Sequence, residues 1–197
     1  MTPLDTALRR VTEELTRRRV PFALVGGLAV SVRTEPRFTR DADLAVALAT
    51  DAEAEALIHA LRAQGFGIGA IVEQEAVGRL ATVRLTFSAE RHVPVVDLLF
   101  ASSGIEAEVV ADAELLVLLP TLRLRVARTG HLIALKVLSR DDDRRPQDQI
   151  DLRALIAIAS PDELARARAS LDLIASRGYN RGKDLAADLD RWTRSVN

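Results

Sequence analysis

The chain of 197 residues has no cysteine, which excludes disulfides, thiolate zinc sites and cysteine nucleophiles. It has no run of about 18 apolar residues, so a membrane-spanning helix is not expected. Residues 1–19 are charged and helical in pattern, without an apolar signal core, so export is not expected and cytoplasmic residence is the default. Internal repeats and low-complexity tracts are missing too. Nor is there an excess of one charge: 27 Lys and Arg stand against 28 Asp and Glu, a formal net charge of −1. That balance gives no global nucleic-acid signature. Lysine is almost absent, because every basic residue except Lys136 and Lys183 is Arg. Apolar residues make up 48% of the chain, enough for one compact domain or a small core domain with a helical extension.

What is present concentrates between residues 24 and 46. Leu24-Val25 runs into Gly26-Gly27-Leu28-Ala29-Val30, and after a basic connector comes Thr39-Arg40-Asp41-Ala42-Asp43-Leu44-Ala45-Val46. An apolar strand thus ends in a glycine pair that opens a helix, and a second strand carries carboxylates spaced i, i+2. Alternate strand residues share a face, so Asp41 and Asp43 project together. Side by side they repel unless a cation sits between them. Oxygen ligands without sulfur suit Mg²⁺, which combines one or two carboxylates with substrate phosphates. Glycines let backbone approach a ligand closely, and N–H groups at a helix start attract phosphate. Together these features describe a site for a metal-bound nucleoside triphosphate.

Along the chain, residues 5–19 form an amphipathic helix with Leu4, Leu8, Val11 and Leu15 on one stripe. Strands follow at 22–25 and 41–48, separated by a short helix at 27–33. A helix at 51–64 is capped by Thr50 or Asp51 and stopped by Gly65. Residues 65–69 read as loose, with strands at 71–73, 80–87 and 93–100. Residues 111–119 read as an apolar helix or buried turn, and 122–126 as an edge strand or extended segment with one basic face. Four helices end the chain, near 130–139, 148–159, 161–176 and 182–193. The plan is α/β: a mixed sheet flanked by helices in residues 1–110, and a helical part at 111–197 packed on it.

A second constellation lies downstream. Asp148 and Asp151 share a helical stripe with Leu155 and Ile158, which points them inward. Buried carboxylates need partners, and Lys136 on the preceding helix is a partner or a phosphate ligand. A snorkelling lysine and a carboxylate pair favoured by a helix start are the plainer alternative. His59, His92 and His131 form no pair with metal-ligand spacing. Ser102-Ser103-Gly104 lacks the context of a nucleophile elbow, and Trp192 and Tyr179 read as packing residues.

The glycine pair, Asp41-Ala42-Asp43 and a third carboxylate, Asp97, on a later strand resemble the minimal nucleotidyltransferase superfamily (polymerase-beta-like). Adding Lys136, a basic loop with Arg144 and Arg145, and Asp148-Gln149-Ile150-Asp151 sharpens this. Over residues 20–160 the chain resembles the AbiEii/MenT-type nucleotidyltransferase toxins of type IV toxin–antitoxin systems. Two departures stand out: Gly27 replaces a common serine, and Gln147 stands where Arg or Lys is usual. The resemblance implies Mg²⁺-dependent nucleotide transfer from an NTP to the 3′ end of tRNA, blocking aminoacylation and growth, with an antitoxin protein as partner. Asp41, Asp43 and Asp97 are the implied metal ligands. Gly26, Gly27, Thr39, Arg40, Lys136 and Asp148 would hold the nucleotide, and Asp151 would join Lys136 in catalysis. Arg33, Arg37 and Arg40 either contact acceptor phosphates or balance the carboxylates. A phosphate on Thr39, beside Asp41, would act as an off-switch. Transfer to a small molecule or protein, or an inactive binding module of the same fold, are the alternatives.

Overall fold

The computed structural model describes residues 2–37, 39, 41–87, 94–119, 122–140 and 146–196. In chain order the elements are α1 (Pro3–Arg17), β1 (Phe22–Val25), α2 (Gly26–Arg33), β2 (Asp41–Val46), α3 (Asp51–Ala63), β3 (Gly67–Gln74), β4 (Arg79–Thr86) and β5 (Val95–Leu99). They continue with α4 (Glu106–Ala111), β6 (Glu114–Leu119), β7 (Leu122–Val126), α5 (Thr129–Ser139), α6 (Pro146–Ile158), α7 (Pro161–Ser176) and α8 (Leu185–Val196). The strands form one mixed sheet in the order β3-β4-β5-β2-β1-β7-β6.

Local chemistry sets the element ends. α1 begins earlier than its apolar stripe suggests, because Thr2 and Asp5 form a reciprocal capping box with Pro3 at the first helical position. At α3, Thr50 is the cap; its hydroxyl accepts from the Glu53 N–H at 3.3 Å. Asp51 instead accepts from Arg79 Nε at 2.8 Å and the Leu80 N–H at 3.1 Å, which ties α3 to β4. Gly65, at φ +83°, stops α3 as its sequence position predicts.

Three expectations need correction. Residues 111–119 are not a helix or buried turn: after α4 they form β6, where Leu115 and Val117 are exposed and Leu116 and Leu118 pack on the core. Burial with period two is a strand signature, which the run of apolar residues concealed. Residues 122–126 are not at the edge, since β7 lies between β1 and β6 with Leu122, Leu124 and Val126 buried. Residues 67–69 are strand rather than loose chain. A Cβ at Gly67 would stand 2.4 Å from Thr86 Oγ1 and one at Gly69 2.9 Å from Thr86 Cγ2, so these glycines permit close pairing with β4.

Two adjacent cross-strand rows divide the sheet into a structural face and a chemical one. Leu24, Leu44, Leu98 and Val83 are register neighbours across β1, β2, β5 and β4, and each is fully buried. The next row, Val25, Asp43, Asp97 and Arg84, points to the opposite face because strand side chains alternate. One face therefore seals the core while the other presents charge.

Candidate active site

The chemical row opens into a cavity of about 740 Å³ lined by Gly26, Gly27, Thr39, Asp41, Asp43 and Asp97, and across from them by Lys136 and Asp148. Its volume lies in the usual range for small-molecule sites. The register places Asp43 directly beside Asp97, about 4.8 Å away from strand to strand. Asp41 lies two residues along β2 and is exposed. Thr39 donates its hydroxyl to the Asp41 carbonyl at 3.1 Å, with Asp41 Oδ1 at 3.4 Å, so it leans toward the carboxylates. Arg40 lies outside the described residues, as do His92, Arg144 and Arg145.

Gly26 is at φ +66°, and a Cβ there would stand 1.9 Å from Asp43 Oδ2. A Cβ on Gly27 would stand 2.6 Å from Arg37 Nη2. The glycine pair thus admits the Asp43 carboxylate and the Arg37 guanidinium against the first turn of α2. No residue with a side chain fits at position 26 without moving Asp43.

Asp97 is buried, at 7% exposure, and both its oxygens are engaged: Arg84 Nε donates to Oδ1 at 2.9 Å and Nη2 to Oδ2 at 2.7 Å. The hydrogen bond to Asp97 raises the Arg84 pKa, burial opposes it, and Asp97, Asp41 and Asp43 add their charge. Sequence reading missed Arg84. The signal was its place on the polar face of an alternating strand, 13 residues before Asp97.

The second constellation converges on the same cavity. Lys136 Nζ lies 2.6 Å from Asp148 Oδ1 and 2.8 Å from Asp151 Oδ2. Asp151 also accepts from Arg37 Nε at 2.9 Å and Nη2 at 2.7 Å, and from Gln147 Nε2 at 3.1 Å. Burial pushes the Asp151 carboxyl up, but the bonds from Lys136, Arg37 and Gln147 outweigh it and hold the pKa below the usual value. Gln147, where a cation is usual, is a neutral donor here, and Arg37 brings a guanidinium from far upstream. Arg33 is tied elsewhere, to Glu114 Oε2 at 2.6 Å and to the Ala127 and Val126 carbonyls, so it braces α2 against β6 and β7. Ile158 is exposed although it stands about 20° from buried Asp151 at 3.6 residues per turn, because it is the last residue of α6.

Among the described residues no group of three or more His, Asp or Glu converges tightly enough to hold a metal ion as it stands. The donors nonetheless suit a hard cation, with three carboxylates on one face and neither sulfur nor imidazole among them. Asp41 and Asp43 project from the same face of β2 and could hold it. Asp97 is paired with Arg84 through both its oxygens, so the guanidinium competes with a metal ion for them. Among the described residues no helix is long and apolar enough to cross a membrane.

This sheet and its helices are the nucleotidyltransferase fold. A nucleotidyltransferase-like antigen from Paracoccidioides brasiliensis is similar in structure, with TM-score 0.54 and 18% identity over 95% of this chain and 92% of that one. ANT(2")-Ia, in complex with adenylyl-2"-tobramycin, gives TM-score 0.49 and 15% identity over 100% of both chains. No curated protein matches the sequence. The family model of the nucleotidyl transferase AbiEii toxin, of type IV toxin–antitoxin systems, matches residues 12–195, and the chain belongs to that family.

Proposed function

We propose that this toxin-family chain transfers a nucleotide from an NTP to the 3′ end of tRNA, and that Mg²⁺ held by Asp41, Asp43 and Asp97 supports the transfer. The observation that carries this reading is the cross-strand row itself, which sets Asp43 beside Asp97 with Asp41 on the same face. The metal ion, when bound, would offset triphosphate charge and stabilise the oxygens of an in-line displacement. The chain's own residues do the rest. N–H groups at the start of α2 face the phosphates, and Lys136, fixed by Asp148 and Asp151, offsets charge building on the leaving pyrophosphate. The metal-binding core then lies in residues 1–110 and the lysine–carboxylate cluster in 111–197.

Four cations, Arg37, Arg84, Lys136 and Arg181, and four carboxylates, Asp41, Asp43, Asp97 and Asp148, line the same cavity, a balance that suits a divalent ion arriving with a triphosphate. Thr39 belongs to the same reading as a control point. A phosphate on it would add up to about two negative charges beside Asp41 and oppose nucleotide binding. Mass spectrometry of toxin co-produced with its antitoxin should then find phospho-Thr39; an always unmodified Thr39 contradicts the switch.

The test incubates the protein with each labelled NTP, Mg²⁺ and total tRNA, with periodate-treated tRNA as a control. Label should enter intact tRNA only, and Asp41→Ala should abolish it while circular dichroism stays unchanged, because positioning and electrostatics dominate such transfers. Label from no NTP, or undiminished transfer by Asp41→Ala, contradicts the proposal.

A further inference from the structure

Arg84 belongs to none of the motifs that carry the family resemblance, yet it lies in the row that contains two of the three carboxylates. Its guanidinium grips Asp97 through two nearly parallel hydrogen bonds of 2.9 and 2.7 Å, the geometry in which Arg binds carboxylates most specifically. The two partners differ in surroundings. The Asp97 side chain is 10% exposed, whereas that of Arg84 is 46% exposed. An exposed guanidinium is mobile at modest cost, while Asp97 stays fixed in the middle of the sheet. Arg84 also lines the cavity with Asp41 and Asp43, within reach of the space a triphosphate would fill.

We propose that Arg84 is a positioning residue that serves as the counter-charge of Asp97 before metal and nucleotide bind: it neutralises Asp97, withholds that carboxylate from a divalent ion, and exchanges it for the triphosphate when metal and nucleotide arrive together. Three carboxylates on one face of a sheet repel one another without a counter-charge. Arg84 supplies such a charge to Asp97 through two hydrogen bonds within the row. Charge balance then favours joint loading. A divalent ion entering alone gains Asp97 only in competition with a paired guanidinium, whereas an ion entering with a triphosphate gives that guanidinium a new anionic partner. The consequence is that free metal binds weakly and metal–nucleotide binds well.

This inference rests on the proposal that Asp41, Asp43 and Asp97 hold a divalent ion, and the experiment separates the two. Mn²⁺ is titrated into the wild-type chain, Arg84→Gln and Arg84→Lys, with free Mn²⁺ followed by electron paramagnetic resonance, with and without a non-hydrolysable NTP analogue. Without nucleotide, Arg84→Gln should bind Mn²⁺ at least tenfold more tightly than wild type. Arg84→Lys, which keeps the charge but not the paired hydrogen bonds, should fall between them. With the analogue the order should reverse, wild type binding Mn²⁺ and analogue most tightly. A residue that merely supports the fold would weaken metal binding when replaced, so the gain is specific. Equal Mn²⁺ affinity of the three proteins without nucleotide overturns the role of Arg84 and leaves the carboxylate site standing. No Mn²⁺ bound by any of them with the analogue present overturns the metal site and, with it, this proposal.

Discussion

Gly26 and Asp43 are chemically coupled although 17 positions separate them. The strand must turn into α2 through a left-handed residue, and the Asp43 carboxylate then occupies the volume a side chain at position 26 would need. Gly26→Ala therefore incurs the left-handed penalty of about 1–2 kcal/mol and displaces a proposed metal ligand. Its urea midpoint should fall, and Mn²⁺ binding should weaken by more than the stability loss explains. Unchanged metal binding would show that Asp43 does not depend on the glycine. Thr39, Arg37 and Arg84 lie in the same small volume, each bonded to a carboxylate, so single substitutions there act on two partners at once.

Between elements, α5 and α6 are joined by charge at their cavity end and by apolar packing below it. Lys136 is 12% exposed, and its partners Asp148 and Asp151 are 9% and 1% exposed. Removing the cation takes a partner from two poorly solvated carboxylates, of which Asp151 keeps Arg37 and Gln147, and costs about 3 kcal/mol. Lys136→Met should thus lower unfolding free energy in urea by that amount, and Asp148→Asn in the same background should restore part of it. Additive losses in the double variant would contradict a coupled cluster. The inward turn of Asp148 and Asp151 was legible because helical periodicity places them with buried Leu155. Their second cation was not. Arg37 reaches Asp151 across 114 residues, and local pattern says nothing about so distant a pairing. β6 was illegible for a different reason: Glu114-Leu115-Leu116-Val117-Leu118-Leu119 lacks polar alternation, and only its edge position leaves Leu115 and Val117 uncovered.

For the molecule as a whole, buried titratable groups set the acid limit. Burial lowers the His131 pKa from its usual value, with Asp112 opposing, and its ring lies 3.0 Å from Ser170 Oγ, holding α5 against α7. Because the folded pKa is the lower one, the unfolded chain takes up the proton first, and stability falls as pH drops below about 6.5. Asp151 adds a second loss below about pH 4, since its depressed pKa stabilises the fold only while it is ionised. Melting temperature should decline between about pH 7 and pH 5.5, and His131→Gln should flatten that decline. An equal slope in the variant would remove His131 from the explanation. The site's acidic half was readable from residues 24–46 and 97 because strand alternation and order along the chain are local properties. Of its basic side chains Lys136 was readable as the partner of Asp148 and Asp151, but the pairings of Arg37 and Arg84 were not, because they arise only from the register and packing of the finished sheet.

The claim on which the rest depends is that Asp41 and Asp43 face one cation together with a nucleotide. Crystals grown with Mn²⁺ and a non-hydrolysable NTP analogue, measured at the manganese absorption edge, test it directly. An anomalous peak about 2.0–2.3 Å from carboxylate oxygens of both Asp41 and Asp43, beside the triphosphate, is the expected result. Bound nucleotide without a peak there, or a peak ligated by other residues, would contradict it.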